Sequence, residues 1–393
     1  MQLSNKQKEF WNNASHRWNI KCGAVRSGKT YLDYFMIPRR IRERVGKEGL
    51  MLLLGNTQGT LERNILNPMR SIFTPSLVSH ISSNNTIKLC GEEVYVLGAD
   101  KVNQVSKIQG AGFKYVYGDE ITTWNANVFN MLKSRIDKQY SCFDGTCNPD
   151  NPQHWFKQFL DSDADIYNQH YNIEDNPFND PVYVENLKKE YAGTIFYDRY
   201  ILGLWIPASG LIYPNFKEDK HIIDFTLPEG KDRGLYYISI DYGTANPFAA
   251  GLWRIGEGKD VMIKEYFFDS RKENRQKTDD EYYDEIDALA GKRQIQFVVV
   301  DPSAASFIEL IRRKGKYSVR QADNTVIDGI RETATALNSG RLLFHGSCKN
   351  TIREFNAYTW DKNSLIDKPL KENDHCMDMI RYLVKTVHTR EFR

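Results

Sequence analysis

Residues 23–30 read GAVRSGKT, a match to the spacing G-x-x-x-x-G-K-[ST]. Gly23 and Gly28 let the backbone curl so that its N–H groups face phosphate oxygens. Ser27 belongs to the same cradle, and a following helix adds partial positive charge. Lys29 would reach the β and γ phosphates of ATP, and the Thr30 hydroxyl would ligate Mg²⁺. A strand before the loop and an amphipathic helix after it are the context that separates this motif from a surface turn. Such a loop needs a second, acidic element, and YVYGDE supplies Asp119 and Glu120 at the end of an apolar run. Asp119 is placed to hold Mg²⁺ through water and Glu120 to polarise an attacking water. A further strand end, GTCNP, carries Thr146 and Asn148, polar groups suited to sensing the γ phosphate. Arg26, inside the loop, is the candidate for neutralising transition-state charge in cis. Lys107 and Arg135 are candidates for doing so from a neighbouring subunit.

The second half carries a different set. ISIDYG ends an alternating strand with Asp241, and QFVVVDPS ends a buried strand with Asp301. DHCMDMIRY then places Asp374, His375 and Asp378 on neighbouring parts of one helix face. Carboxylates converging in this number need a cation, and two divalent ions about 4 Å apart would clamp the attacking and leaving oxygens of a phosphodiester. Taken singly, each aspartate also suits a helix cap or turn, and His375 a partly exposed helix position. The order of elements favours a metal centre: three opening strands with Asp241 on the first, a strand with Asp301, then an acidic helix. That is the layout of ribonuclease H-like folds. Glu265, on the third strand, is a further possible ligand.

The elements that must position these residues follow from apolar patterning. Through about residue 150, short apolar runs such as LMLLLG and KYVYGD alternate with helical patterns, as a parallel sheet with crossover helices requires. A junction rich in Pro, Gly and charge falls at 206–233. It separates an α/β domain over 1–205 from a second α/β domain over 234–393. The chain has 393 residues and a formal net charge of +2, with 41% hydrophobic and 26% charged residues, which is ordinary globular composition. No apolar run is long enough to span a membrane and the N-terminus lacks a secretory signal pattern. The six cysteines are scattered without zinc-like spacing and read as reduced thiols. Near-zero net charge leaves a nucleic-acid partner open, because binding needs a local basic surface. RRIRERVGK at 39–47 and RRKGKYSVR at 312–320 are the candidate tracks.

The loop GAVRSGKT, the Asp-Glu strand end, GTCNP, DNPF, RYILGLW and D…D…DHxxD, in that order, resemble the large terminase subunit of tailed double-stranded DNA bacteriophages. The resemblance covers nearly the whole chain. It implies an N-terminal P-loop packaging ATPase with a mainly parallel sheet, and a C-terminal ribonuclease H-like endonuclease that cuts concatemeric DNA. By the same resemblance the ATPase residues map onto Lys29, Thr30, Asp119 and Glu120, coupling onto Thr146 and Asn148, and adenine recognition onto Gln7. Asp241 and Asp301 match the nuclease pattern, and the third position lies among Asp374, His375 and Asp378, with Asp378 and His375 favoured. The implied cofactors are ATP with Mg²⁺ in the first domain and Mg²⁺ or Mn²⁺ in the second. The implied partners are double-stranded DNA, the portal protein of the procapsid and the small terminase subunit. A ring of copies when docked, a monomer when free, no membrane, and the host cytoplasm complete the expectation. Two other readings carry the same residues: a repair or recombination ATPase with an attached nuclease, and a nucleotide-regulated DNA-binding protein without nuclease activity.

Overall fold

Four of the strands in the first sheet are buried on both faces, because helices cover the sheet from either side. In LMLLLG, Leu52 and Leu54 point into one core with Ile20, Val116 and Phe143, while Met51 and Leu53 point into another with Ile37, Val96 and Tyr117. A run buried on both sides loses the polar alternation of a half-exposed strand. The computed structural model describes residues 2–74, 76–224, 234–244, 246–362, 364 and 366–391, so positions 225–233 of the expected junction lie outside the described residues.

The chain divides into two units, Met1–Val184 with Tyr197–Pro207, and Glu185–Phe196 with Ala208–Arg393. The first holds β1 (Trp18–Gly23), β2 (Leu50–Gly55), β3 (Thr86–Leu89), β4 (Glu92–Gly98), β5 (Phe113–Gly118), β6 (Cys142–Cys147) and β7 (Ile166–Tyr171). They form one sheet in the order β3-β4-β2-β5-β6-β1-β7, parallel throughout except for the β3–β4 pair. In a parallel sheet the carboxyl ends of the strands share one edge, which is where ligand sites form. The three motif strands β5, β6 and β1 are neighbours, so the Asp-Glu pair, GTCNP and the phosphate loop all emerge along that edge.

The second unit holds β8 (Ile222–Ile223), β9 (Leu235–Asp241), β10 (Phe248–Gly256), β11 (Lys259–Phe268), β12 (Ile295–Val300), β13 (Val319–Gln321) and β14 (Leu342–His345), in the order β13-β12-β9-β10-β11-β14-β8. The expected antiparallel run of three strands is present as β9–β10–β11, and β12 joins β9 in parallel. Asp241 and Asp301 therefore leave adjacent parallel strands at the same end. One face of the sheet packs Ile238, Ile240 and Leu252 against Tyr282, Ile286, Phe307 and Ile311 from two helices. The helix His375–Glu391 packs against β9, β10 and β12. At Gly251 of β10 a Cβ would stand 2.6 Å from Met379 Sδ, so the absent side chain is what admits that helix so closely. Both units are mixed α/β with parallel-rich sheets. Among the described residues no helix is long and apolar enough to cross a membrane.

Candidate nucleotide and metal sites

In the first unit the loop closes tightly on its own backbone. Gly23 has φ +151°, and a Cβ there would lie 1.9 Å from the Tyr171 carbonyl oxygen, so only glycine fits. Ala24 N–H donates to that carbonyl at 2.8 Å and Val25 N–H to Tyr200 O at 3.1 Å. The indole of Trp205 donates to Cys22 Sγ at 3.1 Å. RYILGLW thus braces the loop from behind, a role that the phrase itself does not signal. Arg26, at φ 54°, is exposed, and its carbonyl accepts from Asn176 Nδ2 at 2.9 Å and Asn179 Nδ2 at 3.0 Å. These asparagines of DNPFND hold the loop and are invisible as such in the sequence, because only their proximity in space reveals the role.

Lys29 begins the helix Lys29–Arg42 and is 7% exposed. Its ammonium folds back to Gly23 O at 2.9 Å, Ala24 O, Ser27 Oγ at 3.3 Å and Asn148 Oδ1 at 3.2 Å. Burial draws its pKa down to about 8. Ser27 Oγ itself donates to Ala24 O at 2.8 Å, and Thr30 is half-buried one residue after Lys29. Asp119, 3% exposed, accepts from Thr146 Oγ1 at 3.0 Å and Tyr117 OH at 3.3 Å. Its carboxyl is held above the usual range, chiefly by burial. Glu120 occupies the left-handed region at φ 51°, with its N–H donating to Thr146 Oγ1 at 3.3 Å. Burial first and the Asp119 charge second raise the Glu120 pKa. Lys29, Asp119, Glu120, Thr146 and Asn148 are therefore gathered at one place by two hydrogen-bonded links. Lys107 lies on the helix Val105–Ile108, and Arg135 pairs through its carbonyl with Phe113, at the strand end remote from Asp119.

Gln7 sits in the helix Asn5–Asn13, 2% exposed. Its Oε1 accepts Ser4 N–H at 2.8 Å and its Nε2 donates to Gly28 O at 2.8 Å, so the amide joins a helix cap to the loop. A cavity of about 300 Å³ opens beside it, lined by Gln2, Gln7, Gly28, Tyr31, Asn176 and Phe178. One donor hydrogen and one acceptor lone pair of the amide remain beyond these two bonds.

In the second unit a cavity of about 710 Å³ is lined by Asp241, Asp301, Asp374, His375 and Asp378 together. His375 Nδ1 stands 2.8 Å from Asp241 Oδ2 and its Nε2 3.9 Å from Asp374 Oδ1. Asp378 Oδ1 accepts from Arg381 at 2.8 Å, and Lys371 Nζ lies 3.3 Å from Asp374 and 3.6 Å from Asp378. Asp301 accepts from Ser303 N–H at 2.6 Å and Tyr382 OH at 2.5 Å. Burial pushes the Asp241 carboxyl up to about 6, against the hydrogen bond from His375. For Asp301 the hydrogen bonds outweigh burial and its pKa falls. For His375 burial is outweighed by Asp241 and the neighbouring acids, and its pKa rises. Hard carboxylate oxygens with one imidazole suit Mg²⁺ or Mn²⁺. Among the described residues no three acid, His or Cys groups already stand as a ligating cluster; Lys371 and Arg381 are counter-charges to Asp374 and Asp378, and His375 pairs with Asp241.

Glu265 is a correction. Its carboxylate accepts Asn350 N–H at 2.7 Å and Thr351 N–H at 3.0 Å, capping the helix Lys349–Phe355, and it does not line the cavity. Within the run 39–47, Arg42 and Lys47 are exposed. Arg40 and Arg44 are buried, Arg40 on Asp144 at 2.8 Å and Arg44 on the carbonyls of Lys114 and Tyr140, so they are internal braces.

Residues 22–220 match the family model described as terminase large subunit, T4likevirus-type, N-terminal. The large terminase of a thermophilic bacteriophage is 35% identical, with a TM-score of 0.88 over 99% of this chain and all of that one. The same protein in complex with ATP-gamma-S matches with 34% identity and a TM-score of 0.84, over 98% of this chain and 100% of that chain. The terminase large subunit of Escherichia phage T5 is 22% identical over 306 residues, 72% of this chain and 68% of that one. The chain belongs to the phage terminase large-subunit family.

Proposed function

We propose that this phage DNA-packaging motor subunit hydrolyses ATP at the edge of β1, β5 and β6 of its P-loop unit and cuts DNA at the Asp241–Asp301 cavity of a ribonuclease H-like unit. What supports the first half is the pair of links joining Lys29 to Asn148 and Thr146 to Asp119 across three adjacent strands. Gly23, Ser27 and Gly28 shape the cradle; Lys29 leaves its carbonyl partners for the β and γ phosphates. Thr30 and Asp119 would hold Mg²⁺, whose chemistry there would be to neutralise charge on the β and γ oxygens. Glu120, its proton affinity raised, takes the proton of the attacking water. Thr146 bonds the Asp119 carboxylate and the Glu120 backbone N–H, and Asn148 contacts Lys29, so loss of the γ phosphate is felt on β6. Gln7 reads the adenine edge, and Arg26 or a neighbour's Lys107 or Arg135 supplies the remaining positive charge.

In the second unit Asp241, Asp301 and Asp378 would hold the nuclease metals, with His375 and Asp374 adjoining. A pair of divalent ions would activate the attacking water and stabilise the leaving oxygen. Tyr382 and Ser303 fix the Asp301 carboxylate, and Arg381 fixes Asp378. The residues work on double-stranded DNA delivered at a portal, in a ring of copies with the small terminase subunit, in the host cytoplasm. The test is ATP hydrolysis by the purified chain with and without portal-bearing procapsids: the rate rises on addition and Lys29→Ala abolishes it. A rate indifferent to procapsids overturns the packaging assignment.

A further inference from the structure

The nuclease cavity sets a polyanion against seven lining carboxyl groups, so a DNA strand entering it needs cations of the protein's own at the mouth. Four Lys or Arg side chains line the same cavity: Arg271, Lys272, Arg353 and Lys371. All four are exposed. Their partners hold them loosely: Lys272 stands 3.6 Å from Asp269, Arg353 3.6 Å from Glu354, and Lys371 3.3 Å from Asp374. Arg271 donates to the neutral Asn246 amide at 2.9 Å. The Arg353 guanidinium also lies 5.4 Å from the Phe267 ring centroid, and that ring lines the cavity. Long, exposed cations with weak partners can exchange them for phosphate oxygens at little cost.

The basic run at 312–320 is differently employed. Lys314 pairs with Asp280 at 2.8 Å, Lys316 pairs with Asp287, and Arg320 covers the Phe297 ring at 3.7 Å.

We propose that Arg271, Lys272, Arg353 and Lys371 grip the backbone phosphates flanking the scissile bond, making this mouth the DNA-contact surface of the second unit. The inference rests on the nuclease reading and deepens it. The grip takes backbone charge and no base edge, so it is independent of sequence. Lys371 lies 3.3 Å from Asp374 and 3.6 Å from Asp378, and were those carboxylates to hold a metal its ammonium would be released to the strand.

The full chain, titrated into a short fluorescent duplex with Ca²⁺ at a series of salt concentrations, provides the test by anisotropy. Each lost phosphate contact removes about 0.9 from the slope of log K against log salt. Replacing all four residues by Ala should lower that slope by about 3.6 and weaken low-salt binding by about tenfold or more. Exchanging Arg353→Lys and Lys371→Arg, which keeps the charge, should retain the slope, as should Arg312→Ala with Arg313→Ala. Circular dichroism melting of each variant checks that the fold is intact. An unchanged slope in a folded four-Ala variant, or a comparable loss on removing Arg312 and Arg313, overturns the grip. A parallel digestion of plasmid with Mn²⁺ separates the two levels. Cutting by the unaltered chain with unchanged slope in the four-Ala variant refutes the grip alone; no cutting by the unaltered chain refutes the nuclease reading and the grip with it.

Discussion

Replacing Thr146 by Val keeps the shape of the side chain and deletes one hydroxyl. That hydroxyl donates to Asp119 Oδ1 at 3.0 Å and accepts the Glu120 N–H at 3.3 Å. After burial, which raises the Asp119 pKa, the Thr146 hydrogen bond is the foremost influence pulling it down. A hydrogen bond to a charged group contributes about 1.5–3 kcal/mol and an orphaned partner costs about 1–3 kcal/mol, so about 3 kcal/mol is the expected loss. For a unit of this size that lowers the melting temperature by roughly 6–12 °C. The deletion also favours the protonated form of Asp119, so Mg²⁺-dependent nucleotide affinity should fall more steeply on acidification than in the unaltered chain. Scanning calorimetry reads the first effect, and titration of a fluorescent ATP analogue with and without Mg²⁺ reads the second. A melting shift under about 2 °C with an unchanged Mg²⁺ dependence refutes the network as drawn.

Two further predictions concern the second unit. Glu354, 1% exposed, accepts the Cys376 N–H at 2.7 Å, and burial pushes its carboxyl from an ordinary 4.5 up to about 7. A raised carboxyl stabilises the fold fully below the unfolded pKa and loses that contribution as pH rises through the folded one. Glu354→Gln, which keeps the acceptor oxygen, should therefore gain on the unaltered chain by up to about 3 kcal/mol between about pH 4.5 and 8; urea unfolding at the two pH values measures it, and a pH-independent difference contradicts it. Asp241, pushed up to about 6, must release its proton to bind a divalent ion. Calorimetric Mn²⁺ affinity should thus weaken as pH falls through about 6, and Asp241→Asn should remove the binding; binding retained by Asp241→Asn would take that residue out of the ligand set.

The strand-end residues are legible in the sequence because of what parallel pairing does. GAVRSGKT, GDE and GTCNP each follow a short apolar run, and runs of that kind in a parallel sheet bring their ends to one edge whatever the loop lengths between them. Asp241 and Asp301 are legible for the same reason. The stretch 315–360 is opaque: β13 and β14 are three and four residues long, too short for periodicity to register. The helix Val326–Asn338 carries Gly329 near its start, where the Arg381 side chain presses against it. That opacity is also why Glu265 reads from sequence as a metal ligand, since nothing there announces the helix whose N–H groups it caps, Lys349–Phe355. The basic runs are legible only in part. Arg40 and Arg44 are spent on internal partners and Lys314 and Lys316 on neighbouring carboxylates, whereas Arg271, Arg353 and Lys371 come from separate segments that only the fold assembles.

That one chain handles phosphate oxygens at two independent places is tested by separating the two activities. ATP hydrolysis and Mn²⁺-dependent plasmid cutting are measured side by side on Lys29→Ala and Asp301→Asn. A crossover is expected: Lys29→Ala loses hydrolysis and keeps cutting, while Asp301→Asn loses cutting and keeps hydrolysis. A variant that abolishes both activities while remaining folded, or an Asp301→Asn chain that still cuts, is incompatible with two separate sites built as described.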